Sequence, residues 1–308
     1  MTQSLEALTR RNDSMQSIRS IVHTMKTLSV INAAPYERAA RTIEAYHDTV
    51  LLGLHAFLSQ IGPLQASPSA ATSTFLIVFG SDHGLCGNYN EALAGHVAEQ
   101  RAGDAKQATV LCIGAQMADA LQDQGIVPEA TFFPPASVDG IGRLANLLTQ
   151  HLDEIQHRHG IGDMAVKLAY FTRDGDMGQK PAVRALLPLD RDFVYELQAK
   201  PWVSRSLPSF SMPPPALFQA LLRSHLFASL FRAAAEALVT ENTARLALMQ
   251  QAEQSVDDKL EDLLSEMRSV RQSEITTELL DVIIGFEALK KRRKPATAGR
   301  EASRLSRP

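Results

Sequence analysis

Asp82, His83 and Cys86 sit within five residues of one another in SDHGLCGNYN, which spans Ser81 to Asn90. An acid, an imidazole and a thiol are the parts of a nucleophilic site. A thiolate at a helix start has a lowered pKa. Catalytic triads, however, assemble from separated segments, so adjacency in sequence is weak support, and no companion signature occurs elsewhere. The glycines offer a second chemistry. Gly84 and Gly87 precede a helical pattern, and backbone N–H groups at a helix start can hold an anion. The loop nevertheless lacks the Lys-Ser/Thr pair and the length of GxxxxGK[ST], and GxGxxG is absent. The plainer reading is that Gly84 and Gly87 permit tight turns and Cys86 packs.

The other candidates are thinner. His151, His157 and His159 carry no HExxH spacing, and His157 and His159 fall on different faces of a helix, so no metal site is expected. Cys86 and Cys112 form no CxxC pair, and Cys112 lies inside the apolar run VLCIG, so neither zinc, redox pairing nor a disulfide framework is implied. No cofactor is expected. Arg271 and Gln272 lie where an apolar seam changes phase; they can face outward and grip a neighbour, or simply be solvated.

These residues need elements to position them. The chain has 308 residues, 45% of them apolar, enough for a sizeable core. The segment Lys290 to Pro308 carries eight Lys/Arg and one Glu, a balance of +7, so the rest of the chain stands at −10 against an overall −3. An acidic body with a basic end does not read as a nucleic-acid-binding domain. KKRRK (Lys290 to Lys294) can touch phosphate or anionic lipid, or form a solubilising tail. The N-terminus shows no signal-peptide pattern, and the apolar run Val50 to Leu58 is too short to span a bilayer, so membrane contact is expected only through a partner.

Three zones follow. Ser4 to Gln60 reads as helix: Ile18, Ile21, Met25 and Leu28 are spaced 3, 4, 3, an apolar stripe on one face. Pro35 predicts a kink or short break near Ala34. Thr72 to Asp192 alternates apolar strand-like runs (TFLIVFG, ATVLCIG, AVKLAYFTR) with helical stretches (Asn88 to Arg101, Ala115 to Asp123, Ser137 to His159), which argues for a mainly parallel sheet. AVRALLPLD adds an edge strand after the turn signal Asp174-Gly175-Asp176. A Pro-rich linker closes that zone. From Ala216 to Leu289 there is no proline and one glycine, Gly285. As one helix this would span roughly 110 Å. Val256, Leu260, Leu263, Met267 and Val270 run 4, 3, 4, 3; after a step of five, Ile275, Leu279, Val282, Phe286 and Leu289 repeat it. That is a coiled-coil seam with one phase change; a helical bundle would also show apolar stripes. The partner helix is expected at the other end of the chain.

The fold class expected is therefore α/β: a long antiparallel two-helix coiled coil from the N- and C-terminal segments with an inserted Rossmann-like α/β domain. The boundaries read as 1–60 for the first helix, 72–200 for the α/β part, 201–215 for the linker, 216–290 for the last helix and 291–308 for the basic tail.

Three separated segments resemble one family, the gamma subunits of F-type ATP synthases. In SIRSIVHTMKTLS, Ile18, Ser20, Thr24 and Lys26 match its first helix. SDHGLCGNYN is similar to its signature loop through Asp82, Gly84, Leu85, Cys86, Gly87 and Asn90. In the last helix Ala244, Arg245, Met249, Ala252, Asp258 and Asp262 match, followed by Arg271, Gln272, Ile275, Thr276, Glu278, Leu279 and Gly285. Pro35, Gln250 and the pair Gln254-Ser255 depart from the usual pattern and resemble the divergent N-type branch. The resemblance implies a non-catalytic rotor shaft whose partners are the alpha and beta subunits of the hexamer, the epsilon subunit and the ring of c subunits. It implies a peripheral position on the cytoplasmic face of the bacterial inner membrane. Arg271, Gln272, Thr276 and Glu278 are its candidates for gripping a catalytic subunit, and Lys26 for meeting an acidic segment of beta. The basic tail is expected to pass through the top of the hexamer's bearing. The rival expectation is a phosphate- or thiol-dependent enzyme with a coiled-coil oligomerisation stalk.

Overall fold

The computed structural model describes residues 5–61, 73–104, 108–159, 164–174, 178–202, 204–206 and 208–292. The tail from 293 to 308 and the Gly175-Asp176 turn signal lie outside the described residues, as do the side chains of His157 and His159. The elements in order are α1 (Leu5–Ile61), β1 (Ser73–Phe79), α2 (Tyr89–Asp104), β2 (Thr109–Ile113), α3 (Ala115–Asp123), β3 (Ala130–Phe132), α4 (Asp139–His159), β4 (Met164–Asp174), β5 (Gly178–Leu187), α5 (Arg191–Ala199) and α6 (Pro214–Arg292). They form two compact units: Met1–His23 with Gln251–Pro308, and Thr24–Gln250.

In the larger unit the sheet runs β3-β2-β1-β4-β5. β1 pairs in parallel with β2 and β4, β2 pairs in parallel with β3, and the edge strand β5 is antiparallel to β4. Side chains alternate across a strand, so each strand feeds two cores. Phe75, Ile77 and Phe79 join Leu111, Ile113, Val166, Leu168 and Tyr170 on one face, under α4 and the Leu226–Val239 stretch of α6. Leu76 and Val78 join Val110, Cys112, Ala169 and Phe171 on the other, under α2 and α3. Strands buried on both sides read as continuous apolar runs, which is why TFLIVFG and VLCIG stand out in the sequence. β3, with only three residues, has no such run to announce it. A third core joins Leu54, Phe57 and Leu58 of α1 to Leu197 of α5 and to Leu217, Phe218 and Leu221 of α6.

The short break that Pro35 allowed does not occur, and α6 begins two residues before Ala216. α1 continues through Pro35 without a break. Proline inside a helix costs about 3 kcal/mol, but Tyr36 and Ala40 just beyond it are buried in the main core and hold the helix in register. Pro214 and Pro215 stand inside the first turn of α6. The first turn needs no intrahelical donor, so proline fits there.

In the smaller unit α1 and α6 run antiparallel: Arg19 Nε lies 2.7 Å from Asp257 and His23 Nδ1 lies 3.1 Å from Glu253, so rising numbers on one helix meet falling numbers on the other. Val256 and Leu263 are buried and Leu260, Met267 and Val270 half-buried, following the 4-3 spacing. On α1 the buried positions are Leu8, Asn12 and Val22, with Met15 half-buried. The stripe expected from Ile18 and Ile21 is instead exposed, at 43% and 59%. A seam of spacing 4, 3, 7 through Leu8, Asn12, Met15 and Val22 competes with it on the same helix and is the one that packs. It carries a polar residue, Asn12, which hides it from an apolar count. In the larger unit α1 and α6 are antiparallel as well, with Glu44 3.6 Å from Arg232 and His47 3.1 Å from His225.

Candidate contact sites and the glycine loop

The chain leaves β1 at Gly80 and turns sharply before α2. Ser81 organises the turn. Its N–H donates to Asn90 Oδ1 at 3.0 Å, its hydroxyl donates to the His83 carbonyl at 2.9 Å, and Asn90 Nδ2 donates to that hydroxyl at 2.8 Å. Asp82 Oδ1 accepts the Ala115 N–H at 3.1 Å, so its carboxylate satisfies an otherwise unpaired donor at the start of α3. Gly87 has φ +69°, a conformation that favours glycine. The second left-handed residue is Leu85, at φ 64°, and not Gly84, where an added Cβ meets nothing within 4 Å. The turn thus holds a leucine in a conformation that costs roughly 1–2 kcal/mol. Gly114, at the end of β2, is the tighter constraint: its φ is +104° and a Cβ would come within 2.4 Å of the Ser81 carbonyl.

Cys86 is buried, with its sulfur 3.4 Å from the Ser81 hydroxyl. Burial pushes its thiol above the usual range, opposed by the Ser81 hydrogen bond. A thiol held protonated is a poor nucleophile, and His83 beside it is turned outward, its side chain 87% exposed. Cys112 is pushed up to about 12 by burial and then by Asp119. The Asp-His-Cys grouping therefore builds a turn. It does not assemble a reacting centre.

What the loop does is bind α6. Arg245 donates to the carbonyls of His83 and Gly84 at 3.3 and 3.4 Å and pairs with Glu241 at 2.7 Å. Both partners of that pair are nearly buried, with side chains 12% and 10% exposed. Burial raises the Glu241 pKa and Arg245 works against it. One turn earlier, the Tyr89 hydroxyl lies 3.1 Å from the Ala237 carbonyl, to which it donates, and 3.0 Å from Thr240 Oγ1, while its ring stacks on Phe171 at 4.4 Å. Arg173 of β4 makes a third joint. Its Nε and Nη2 reach the two oxygens of Glu236 at 3.0 and 3.2 Å, and its Nη1 reaches Glu37 of α1 at 3.1 Å. Two parallel N–H···O bonds fix both angle and distance. Sheet, first helix and last helix of this unit are thereby riveted together. None of these joints shows in local sequence, since Arg173 and Glu37 are 136 residues apart. Only Arg245 had been singled out, as a family match.

The candidate partner residues lie elsewhere. Arg271, Gln272, Thr276 and Glu278 stand together on one exposed stretch of α6 in the smaller unit; Thr276 Oγ1 donates back to the Gln272 carbonyl at 2.8 Å. Every residue from Arg271 to Lys290 is exposed, including Ile275 at 52%, Leu279 at 58%, Val282 at 70% and Phe286 at 69%. Lys26 belongs to the other unit and is half-buried on α1. Among the described residues no group of His, Cys, Asp or Glu could hold a metal ion, and no helix is long and apolar enough to cross a membrane.

A family model described as ATP synthase matches residues 4–289. The ATP synthase gamma chain of Roseobacter denitrificans is 25% identical over 298 residues, covering 93% of this chain and 99% of the relative. That of a Synechococcus species is 28% identical over 326 residues, with the same coverage. Among solved structures, the rotor of the Euglena gracilis mitochondrial ATP synthase matches with TM-score 0.59 at 14% identity, over 88% of this chain and 98% of that one. The central stalk and c-ring structure of the Tetrahymena thermophila mitochondrial enzyme matches with TM-score 0.52 at 16% identity, over 75% and 99%. Below 25% identity these two likenesses establish the fold.

Proposed function

The chain belongs to the family of ATP synthase gamma chains, and from that premise we propose how its surfaces divide the work of a rotor. It is the central stalk, a non-catalytic subunit of the ATP synthase. The observation that carries the reading is the bare end of α6. The apolar 4-3 pattern continues through Ile275, Leu279, Val282 and Phe286, yet each of these side chains is at least half exposed. A large contiguous apolar face of this kind marks an interaction surface. Its occupant is the sleeve of alpha and beta subunits, with Arg271, Gln272, Thr276 and Glu278 gripping one catalytic subunit and Lys26 meeting an acidic segment of beta. Coupling is then differential contact: the angle of an asymmetric helix biases the open and closed states of each catalytic site, and the site states bias the angle in return. The sheet unit takes the epsilon subunit and the c ring. The complex is peripheral, on the cytoplasmic face of a bacterial inner membrane. Pro35, Gln250 and Gln254-Ser255 favour the N-type branch.

Reconstituting the hexamer with this chain tests the grip. Replacing Arg271 and Gln272 together by Ala is expected to lower ATP hydrolysis by about tenfold or more, the scale of one lost charge-assisted hydrogen bond at a working interface. Unchanged hydrolysis in an assembled complex removes these two residues from the grip, and failure of the tagged chain to capture alpha and beta subunits overturns the reading as a whole. The thiol-enzyme alternative predicts that Cys86→Ser abolishes activity with assembly intact. Given the buried, protonated thiol, that variant is expected to turn over normally.

A further inference from the structure

The smaller unit divides its charge along the chain. From Gln251 to Leu289, α6 carries ten Asp/Glu against three Lys/Arg, a balance of −7. The segment Lys290 to Pro308 that follows carries +7. Equal and opposite charges therefore meet at one point of the sequence. Residues from 293 onward lie outside the described residues, so the structure supplies one side of the pairing: the acidic helix and the point where the basic segment leaves it.

Glu274, Glu278 and Asp281 are the informative residues. Their spacing of 4 and 3 sets them in one row on α6. All three are exposed, and no ion pair among the described residues involves any of them. Earlier on the same helix, Glu253 and Asp257 are answered by His23 and Arg19 of α1. The row flanks the exposed apolar face of Ile275, Leu279 and Val282, each one residue further along. The basic segment carries a matching row. Arg300, Arg304 and Arg307 are also spaced 4 and 3, so on a helix they share one face, and each row is then about 10 Å long. Between the two rows lies PATAG, with Pro295 and Gly299 at its ends, residue types that reverse a chain. Length permits the reversal. Asp281 stands about 17 Å back along the helix from Arg292, and the eight residues from Arg292 to Arg300 reach up to about 26 Å.

We propose that Arg300, Arg304 and Arg307 dock on Glu274, Glu278 and Asp281 of the same chain, as a helical turn folded back along α6. Arg300 then meets Asp281, and Arg307 meets Glu274. Guanidinium groups suit such a row, because each can hold a carboxylate through two N–H groups. One exposed ion pair is weak, but three on a short tether act at high effective concentration. A segment with few apolar residues takes its order from the contact. The contact is autoinhibitory. It occupies Glu278, a candidate for the grip, and covers the flank of the apolar face until the sleeve of alpha and beta subunits displaces it. In that respect it rests on the reading of this end of α6 as the sleeve's surface; the fold-back itself belongs to the isolated chain.

Energy transfer between two dyes on the full-length chain tests it. Ser273→Cys and Ser306→Cys place the dyes beside Glu274 and Arg307, and the native Cys86 and Cys112 are buried. Transfer is expected to be high at low ionic strength and to fall at about 1 M salt, where the screening length is about 3 Å. Arg300→Glu, Arg304→Glu and Arg307→Glu together should abolish it. Adding Glu274→Lys, Glu278→Lys and Asp281→Lys to that chain should restore it, with circular dichroism confirming the helix in each variant. Transfer that ignores salt or the arginine reversals, or that the exchanged charges fail to restore, overturns the proposal. Transfer lost on mixing with excess unlabelled chain assigns the contact to a second copy and overturns docking within one chain. Capture of alpha and beta subunits is read separately. Arg300→Gln, Arg304→Gln and Arg307→Gln together should speed capture about threefold at low salt, and an unchanged rate overturns the autoinhibition. If neither chain captures them, the rotor reading fails, while the dyes still decide the fold-back.

Discussion

Two stretches of one helix are opposite in circumstance. From Ala233 to Asn242, α6 is buried at every position but the half-buried Glu236; from Arg271 to Lys290 it is exposed at every position. Both stretches are helical, and both carry apolar residues at helical spacing. The first is covered by the chain's own sheet and locked by Arg173, Tyr89 and Arg245. Its small residues, Ala233, Ala234, Ala235 and Ala237, let the backbone approach the sheet closely. The second carries Ile, Leu, Val and Phe and stays exposed along its length. A helix face satisfied internally serves stability, and one left bare serves a partner.

The contrast can be broken by truncating each end. Leu230 is fully buried in the main core, so Leu230→Ala should cost about 3–4 kcal/mol in urea unfolding of the isolated chain. A cost below about 1 kcal/mol would mean that this end is as loosely held as the other. Next comes pH. Burial and the neighbouring His47 hold the His225 pKa at about 4, below its ordinary 6.5. The unfolded chain therefore takes the proton first. This stability is present in full above about pH 6.5 and is lost as pH falls toward 4, amounting to roughly 3 kcal/mol. Melting curves of the intact chain and of His225→Gln should converge over that window; parallel curves would place His225 in water. The smallest effect belongs to the bare end. Leu279→Ala should change the stability of the isolated chain by less than about 0.5 kcal/mol while weakening capture of alpha and beta subunits. A large loss of stability would show that this face is already covered.

The joints of the larger unit explain why part of the molecule escapes a reading of its sequence. Arg173, Glu236 and Glu37 look like ordinary surface charges, because their pairing depends on three elements meeting at one edge of the sheet. Asp82, His83 and Cys86 err in the other direction: they look like chemistry and are architecture. A thiol's reactivity depends on solvent and on charge around it, and neither is visible in a string of neighbours. At Arg271 and Gln272 the phase change of the seam marked a candidate grip that solvation explains equally well, and the family resemblance added Thr276 and Glu278, since exposed polar residues on a helix are ordinary.

The sequence by itself determined that the C-terminal end is a long helix, since seventy-odd residues run there without a breaker, and that the N-terminal end is helical on either side of Pro35. It determined β1, β2 and β4 too, because strands buried on both faces must be apolar throughout. Tertiary structure alone decided which face of α1 is inside. Periodicity guarantees that a helix has faces, but the partner helix chooses between them, and it chose Leu8, Asn12 and Val22 over Ile18 and Ile21. It also decided that α1 keeps its helix through Pro35, because the core around Tyr36 and Ala40 offsets a local cost that no local pattern can weigh.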